Sequence, residues 1–192
     1  MTEIVAHIDG AARGNPGPAA YGVVIESAQG APVAALAKFL GETTNNVAEY
    51  QGLLAALDYA LNHHFRRLNV VTDSELMARQ ISGRYKVRSP GLRPLHEKAQ
   101  AMIARLESFS IRHVLREDNR EADRLANQAL DDAEAGIAPP ATVPRASPRA
   151  SNPAPAEPLR TAAIFQRGVL KPLAPLPLHD GEEVELEIRR KK

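Results

Sequence analysis

The chain has 192 residues, with 24 basic and 23 acidic side chains for a net charge of +1, 44% apolar and 24% charged residues, and neither Cys nor Trp. This composition suits a soluble globular protein of about one domain plus extensions, and the lack of Cys excludes disulfide frameworks, thiolate zinc sites and thiol nucleophiles. Near-neutral charge excludes bulk attraction to polyanions, so any nucleic-acid binding must arise from local arrangement.

Along the chain, Ile4–Asp9, Tyr21–Glu26 and Val33–Leu40 are short β-type runs separated by Gly and Pro turns, which predicts an antiparallel meander. From Asn46 to His63, Val47, Tyr50, Leu53, Leu54, Leu57 and Leu61 repeat at helical spacing and make one apolar stripe, so this helix faces a core. Leu68–Thr72 is a short apolar strand, and Ser74 supplies an N-cap for a helix running to about Gly83. Leu95, Ala99, Met102, Ile103 and Leu106 mark another amphipathic helix, followed by a strand over Ser110–Leu115. Asn119 is placed to cap a last helix that buries Ala122, Leu125, Ala126 and Ala129. The order predicts an α/β domain whose five-stranded mixed sheet has three antiparallel and two parallel strands, flanked by helices.

Apolar runs such as Leu53 to Leu57 fall far short of the roughly 18 residues of a membrane helix. The N-terminal residues form no basic-then-apolar leader, and the expectation is a cytoplasmic protein without a membrane partner. Seven of the 15 prolines fall between Pro139 and Pro158, among Ala, Ser, Arg and Thr, a composition that predicts an extended linker. The predicted organisation is therefore a domain over 1–135, a Pro/Ala-rich linker over 136–160 and a small β-rich module over 161–192. In that module Gln166-Arg167-Gly168 reads as a hairpin turn, and Val184, Leu186 and Ile188 alternate as a third strand. Too small to bury a sufficient core, the module is expected to dock or to form a homodimer. The basic tail Arg189–Lys192 reads as solvated, with nucleic-acid contact as the alternative.

Four acids stand where an acid is structurally unnecessary. Asp9 ends the first strand and enters a Gly-rich turn, Glu49 lies in the first turn of the long helix, Asp73 follows the fourth strand, and Asp123 lies in the first turn of the last helix. In a sheet of this order the first and fourth strands are parallel neighbours, so Asp9 and Asp73 emerge together at their carboxyl ends, where open α/β sheets place ligands. Taken singly, such acids are explained by helix dipoles and turn chemistry. Converging on one spot, they would raise one another's pKa values unless divalent cations held them, and hard oxygen ligands suit Mg²⁺ or Mn²⁺.

Four motifs then agree in residue type, order and spacing: Asp9-Gly10-Ala-Ala-Arg13-Gly14-Asn15-Pro16-Gly17-Pro18, Thr43-Thr44-Asn45-Asn46-Val-Ala-Glu49-Tyr50, Thr72-Asp73-Ser74, and Asn119-Arg-Glu-Ala-Asp123. Together they resemble type 1 ribonuclease H over nearly all of Met1 to Leu130. The resemblance implies the ribonuclease H-like fold and hydrolysis of the RNA strand of RNA/DNA hybrids, leaving 5′-phosphate and 3′-hydroxyl ends. It also implies that Asp9, Glu49, Asp73 and Asp123 are the catalytic and metal-binding quartet, holding two Mg²⁺ or Mn²⁺ ions during catalysis. Gly10, Arg13, Asn15, Thr44, Asn45, Asn46, Ser74 and Glu75 are the residues implied to contact substrate, with Asn15 offering an amide to a 2′-hydroxyl and Thr44 to Asn46 meeting a phosphate at a helix entrance.

The chain departs from better-known family members in two places. Glu75 stands where many carry Gln, and the basic, Trp-rich protrusion of longer members is missing, leaving only Tyr85-Lys86-Val87-Arg88 as a small basic patch. Weak, salt-sensitive substrate binding follows as an expectation. The family often places a mobile His before the last acid. His113 precedes Asp123 by ten residues but falls within a predicted strand, so it is a candidate auxiliary group with a structural role as the alternative, and Arg116 or Glu117 is the other occupant of that loop. Thr161 to Lys192 resembles the short β-rich domain of small antitoxin-like proteins. Two further functions stay open at this point: a nuclease of the same fold acting on double-stranded or structured RNA, and a non-catalytic hybrid-binding module.

Overall fold

The computed structural model describes residues 3–136 together with 163–166 and 169–172. The chain divides into two units, Met1–Ala150 and Ser151–Lys192. In the first unit, β1 (Glu3–Ala12), β2 (Gly17–Ser27) and β3 (Pro32–Thr43) form the antiparallel meander, followed by α1 (Asn45–Asn62), β4 (Arg67–Thr72), α2 (Glu75–Ile81), α3 (Arg93–Ile103), β5 (Ser108–His113), a 3₁₀ turn (Arg116–Asp118) and α4 (Arg120–Glu134). The sheet order is β3-β2-β1-β4-β5, with β1 antiparallel to β2 and parallel to β4, and β4 parallel to β5. The predicted mixed sheet is therefore the observed one.

α1 and α4 pack against β1 and β2, and α3 packs on α1. The main core joins Ile4, Ile8, Val23 and Ile25 of the sheet to Tyr50, Leu53 and Leu57 of α1, all essentially inaccessible to solvent. Burying one such side chain is worth about 1.5–3 kcal/mol. A smaller cluster of Ala20, Ala129 and Leu130, flanked by Ala11, Ala37 and Phe39, seats α4. Gly22 permits that seating, because a Cβ there would overlap the backbone of Ala122 and Ala126. The hydroxyl of Tyr50 donates to Gln80 Oε1 at 2.8 Å in the interior, tying α1 to α2.

Three predicted boundaries shift for physical reasons. β1 does not end at Asp9: it continues to Ala12, because Gly10, Ala11 and Ala12 pair with Tyr21, Ala20 and Ala19 on β2. On its other side the parallel ladder with β4 stops at Ile8 opposite Thr72, so Asp9 lies inside a strand yet beyond its neighbour's end. β5 covers Ser108–His113 rather than Ser110–Leu115, since its register with β4 sets Ser108 against Arg67 and His113 against Thr72. α1 starts at Asn45, which moves Glu49 from the first helical turn into the second.

In the second unit, β6 (Ala163–Gln166) and β7 (Val169–Pro172) pair antiparallel, with Ile164 opposite Lys171 and Gln166 opposite Val169. The turn residues Arg167 and Gly168, the predicted strand around Val184, Leu186 and Ile188, the basic tail and all of the Pro-rich stretch beyond Gly136 lie outside the described residues. Among the described residues, no helix is long and apolar enough to cross a membrane.

Candidate functional site

Where β1 outruns β4, the sheet leaves a cleft lined by Asp9, Glu49, Asp73, Ser74, Glu75 and Arg116, among others. Asp9 reaches it from β1, Asp73 from the first residue past β4, and Glu49 from α1. One carboxylate oxygen from each of Asp9, Glu49 and Asp73 lies within 4.8 Å of the other two. Gly10 makes this convergence sterically feasible. A Cβ at this position would overlap the backbone of Ala48 and Glu49, so only glycine lets α1 approach the strand so closely.

Two of the trio are buried and the third, Asp73, is half-buried. Asp9 and Glu49 are each 4% exposed. Burial, then the charges of Asp73 and Asp123, pushes the Asp9 carboxyl from its ordinary 3.8 up to about 8, against a smaller opposing effect of Arg116. Burial, then Asp9 and Asp73, also raises Glu49 well above the ordinary range, although the Gly10 N–H and the Asn45 side chain both donate to it. Glu49 Oε2 is buried without any hydrogen-bond partner. A buried acceptor of this kind normally has a donor or a cation. Hard oxygen donors, mutual repulsion and an orphaned buried oxygen together fit a divalent cation of the Mg²⁺ or Mn²⁺ type.

Asp123 stands apart from the trio. It occupies the first turn of α4, as the sequence predicts, and its charge acts on Asp9, yet it is not one of the three whose oxygens cluster. Its Oδ1 accepts from Arg116 Nη2 at 2.5 Å and Nε at 3.2 Å, and from Asn127 Nδ2 at 3.3 Å.

The residues expected to meet substrate are arranged around this centre. Thr44 caps α1, its hydroxyl accepting from the Val47 N–H at 3.3 Å. The backbone N–H of Asn45 donates to Asn15 Oδ1 at 3.4 Å, joining the β1–β2 loop to the helix entrance. Asn46 is partly exposed on the first turn, and Ser74 precedes α2 with its backbone N–H donating to Thr72 Oγ1 at 3.1 Å. Glu75 lines the cleft while paired with Arg79, which also donates to the Tyr85 hydroxyl and lies over that ring, 5.0 Å from its centroid. Arg13 is committed elsewhere, because its guanidinium forks between Asp131 and Glu134 at the end of α4. His113 ends β5, exposed, and is not among the residues lining the cleft, whereas Arg116 is.

Asn119 departs from its predicted capping role. It makes no side-chain cap; instead it is buried, and its Nδ2 donates to the Ile8 carbonyl at 2.8 Å and to Asp73 Oδ1 at 3.4 Å, spanning β1 and the trio. Sequence reasoning also missed Asn127, whose one available signal is its position one helical turn after Asp123.

A five-stranded mixed sheet of this order, with carboxylates gathered where the ladder between its central strands β1 and β4 ends, is a ribonuclease H-like fold. Residues 7–129 match the family described as reverse transcriptase-like, and the chain belongs to that family, its first unit being a type 1 ribonuclease H-like domain. It is 45% identical over 130 residues to the bifunctional protein Rv2228c of Mycobacterium tuberculosis, covering 67% of this chain and only 36% of that protein. The solved N-terminal RNase H domain of that protein superposes with a TM-score of 0.68 at 42% identity, covering 71% of this chain and 99% of that one. Ribonuclease HI of Halobacterium salinarum is 44% identical over 128 residues, 67% of this chain and 64% of the relative. LC11-RNase H1, solved in complex with an RNA/DNA hybrid, gives a TM-score of 0.65 at 40% identity, covering 68% of this chain and 99% of that one. Residues 162–192 match a second family, described as AF2212-like.

Proposed function

We propose that the first unit is a divalent-metal-dependent endonuclease that hydrolyses the RNA strand of RNA/DNA hybrids, leaving 5′-phosphate and 3′-hydroxyl ends. The observation carrying this reading is the Asp9–Glu49–Asp73 carboxylate cluster with its buried, orphaned Glu49 oxygen, and the hybrid-bound relative supplies the substrate class. Asp9, Glu49 and Asp73, with Asp123 beside them, are the residues that would hold two Mg²⁺ or Mn²⁺ ions. Such a pair supplies activation of the attacking water and stabilisation of the leaving 3′-oxygen during in-line displacement.

The chain's own residues do the positioning. Gly10 and Asn45 donate to Glu49 and fix one carboxylate edge, while Asn119 bridges the Ile8 carbonyl and Asp73 and so holds β1 and the Asp73 carboxylate in register. Asn15 and Asn45, already joined, form the polar lip against which the RNA backbone and its 2′-hydroxyls would lie. Glu75 gives no ground for a different substrate, since its charge is met by Arg79. For 162–192 we propose a small antitoxin-like β module, on the resemblance of its sequence, with pairing to a second copy through its exposed strand edges as the expectation.

Matched labelled RNA/DNA, RNA/RNA and DNA/DNA duplexes, incubated with Mg²⁺ or Mn²⁺, test the reading. Cleavage confined to the RNA of the hybrid is the expected result. Cutting of the RNA/RNA duplex at equal rate would assign a double-stranded RNA nuclease, and binding without cleavage would leave a hybrid-binding module.

A further inference from the structure

Arg116 is stationed beside the carboxylates by the fold. It opens the 3₁₀ turn between β5 and α4, where the Asp118 N–H donates to the Leu115 carbonyl at 2.9 Å and the Asn119 N–H to the Arg116 carbonyl at 3.0 Å. Asn119 in turn is buried and bonded to the Ile8 carbonyl, so the turn is anchored on the strand that carries Asp9. From there both Nη2 and Nε of Arg116 reach a single oxygen, Asp123 Oδ1, which also accepts from Asn127. Three N–H donors thus converge on Oδ1, and a divalent ion drawing on the same carboxylate must contend with the guanidinium charge held against it. The same guanidinium lines the cleft beside the trio.

We infer that Arg116 is a resident counter-ion of the metal centre: its guanidinium holds Asp123 while divalent ions are absent and competes with them for that carboxylate. This inference rests on the proposed reading of the carboxylates as a metal site. The geometry distinguishes Asp123, whose Oδ1 is met by donors within the chain, from Asp9 and Glu49, which are buried beside one another's carboxylates. The Arg116 and Asp123 side chains are 74% and 27% exposed. Solvent therefore screens the pair, and the competition is modest, of the order measured for exposed ion pairs.

The test is calorimetric titration of the full chain with MnCl₂ alone, without nucleic acid. Arg116→Gln is expected to bind Mn²⁺ roughly two- to fivefold more tightly than wild type, the factor equivalent to releasing one partly exposed ion pair. In an Asp123→Asn background the same substitution is expected to change affinity little, because the contested carboxylate is gone. Equal affinity in wild type and Arg116→Gln, with Asp9→Asn binding poorly, would overturn the role of Arg116 alone. So would tightening that persists undiminished in Asp123→Asn, which would show only the removal of a distant positive charge. If instead Asp9→Asn binds Mn²⁺ as wild type does, the metal reading itself fails.

Discussion

On the trio side of the cleft, Asp9 and Glu49 are buried within reach of one another's charge, and one oxygen of Glu49 has no donor. On the other side, Asp123 is partly exposed and its Oδ1 is met by three N–H groups from Arg116 and Asn127. The same residue type thus sits in two opposite electrostatic conditions within one cleft. The contrast separates carboxylates crowded against one another from a carboxylate that the chain itself supplies with donors. On the proposed reading, the trio would set whether metal binds and the Asp123 side would adjust how strongly.

The sharpest way to break this comparison is to neutralise the trio. Asp9→Asn and Asp73→Asn are each expected to lower cleavage by roughly 1,000-fold or more, since several kcal/mol of charge stabilisation depend on ions these carboxylates hold. The fold should survive, and the metal-free Asp9→Asn protein should melt higher than wild type because a repelled charge is removed. Near-wild-type cleavage by either variant would dissolve the trio's privileged status.

Gly10→Ala attacks the same region sterically. The new methyl group meets the α1 backbone rather than a pliable side chain, so urea unfolding should show a loss of about 1–3 kcal/mol and cleavage should fall as Glu49 is displaced. Retained stability and activity would mean that α1 can retreat without cost.

A pH series on metal-free protein separates the two sides without touching the fold. The Asp9 carboxyl, at about 8 in the folded protein against an ordinary 3.8, binds its proton more tightly folded than unfolded. Its contribution to stability is therefore fully present below about pH 4 and is lost as pH rises through about 8, and Glu49 shifts in the same direction. Melting temperature should fall across that window, Mg²⁺ should restore it most at the alkaline end, and Asp9→Asn should flatten the curve. A melting temperature that rises over that window would contradict the account of the buried trio.

Smaller effects are expected away from the carboxylates. Asn45→Ala removes a donor to Glu49 and should reduce kcat/KM about 10-fold with little change in melting, the scale seen when groups supporting metal ligands are lost. An equal fall in stability would reduce Asn45 to a turn residue. Arg13→Ala should do least, leaving KM for the hybrid near wild type, because its guanidinium is engaged by Asp131 and Glu134. A clear rise in KM would show that substrate draws Arg13 away from α4.

The sequence by itself determined the parts that depend on local pattern. Alternating and helical apolar spacing yields the strands and helices, and their order implies parallel neighbours that bring Asp9 and Asp73 together; the sheet shows that pairing, with Asp9 still inside β1 and Asp73 just past β4. Only the tertiary structure decided how the four acids divide. Nothing in the spacing of Asp123 says that Arg116 will reach its carboxylate, because that contact depends on the angle at which a 3₁₀ turn leaves β5 and on α4 closing over Gly22. Asn119 shows the same limit. Its residue type and position match a helix cap, yet its side chain turns toward β1, where Nδ2 donates to the Ile8 carbonyl and Asp73 while Oδ1 takes no donor. Long-range packing chooses among hydrogen-bond partners that local chemistry leaves equally available, and here it chose the ones that build the site.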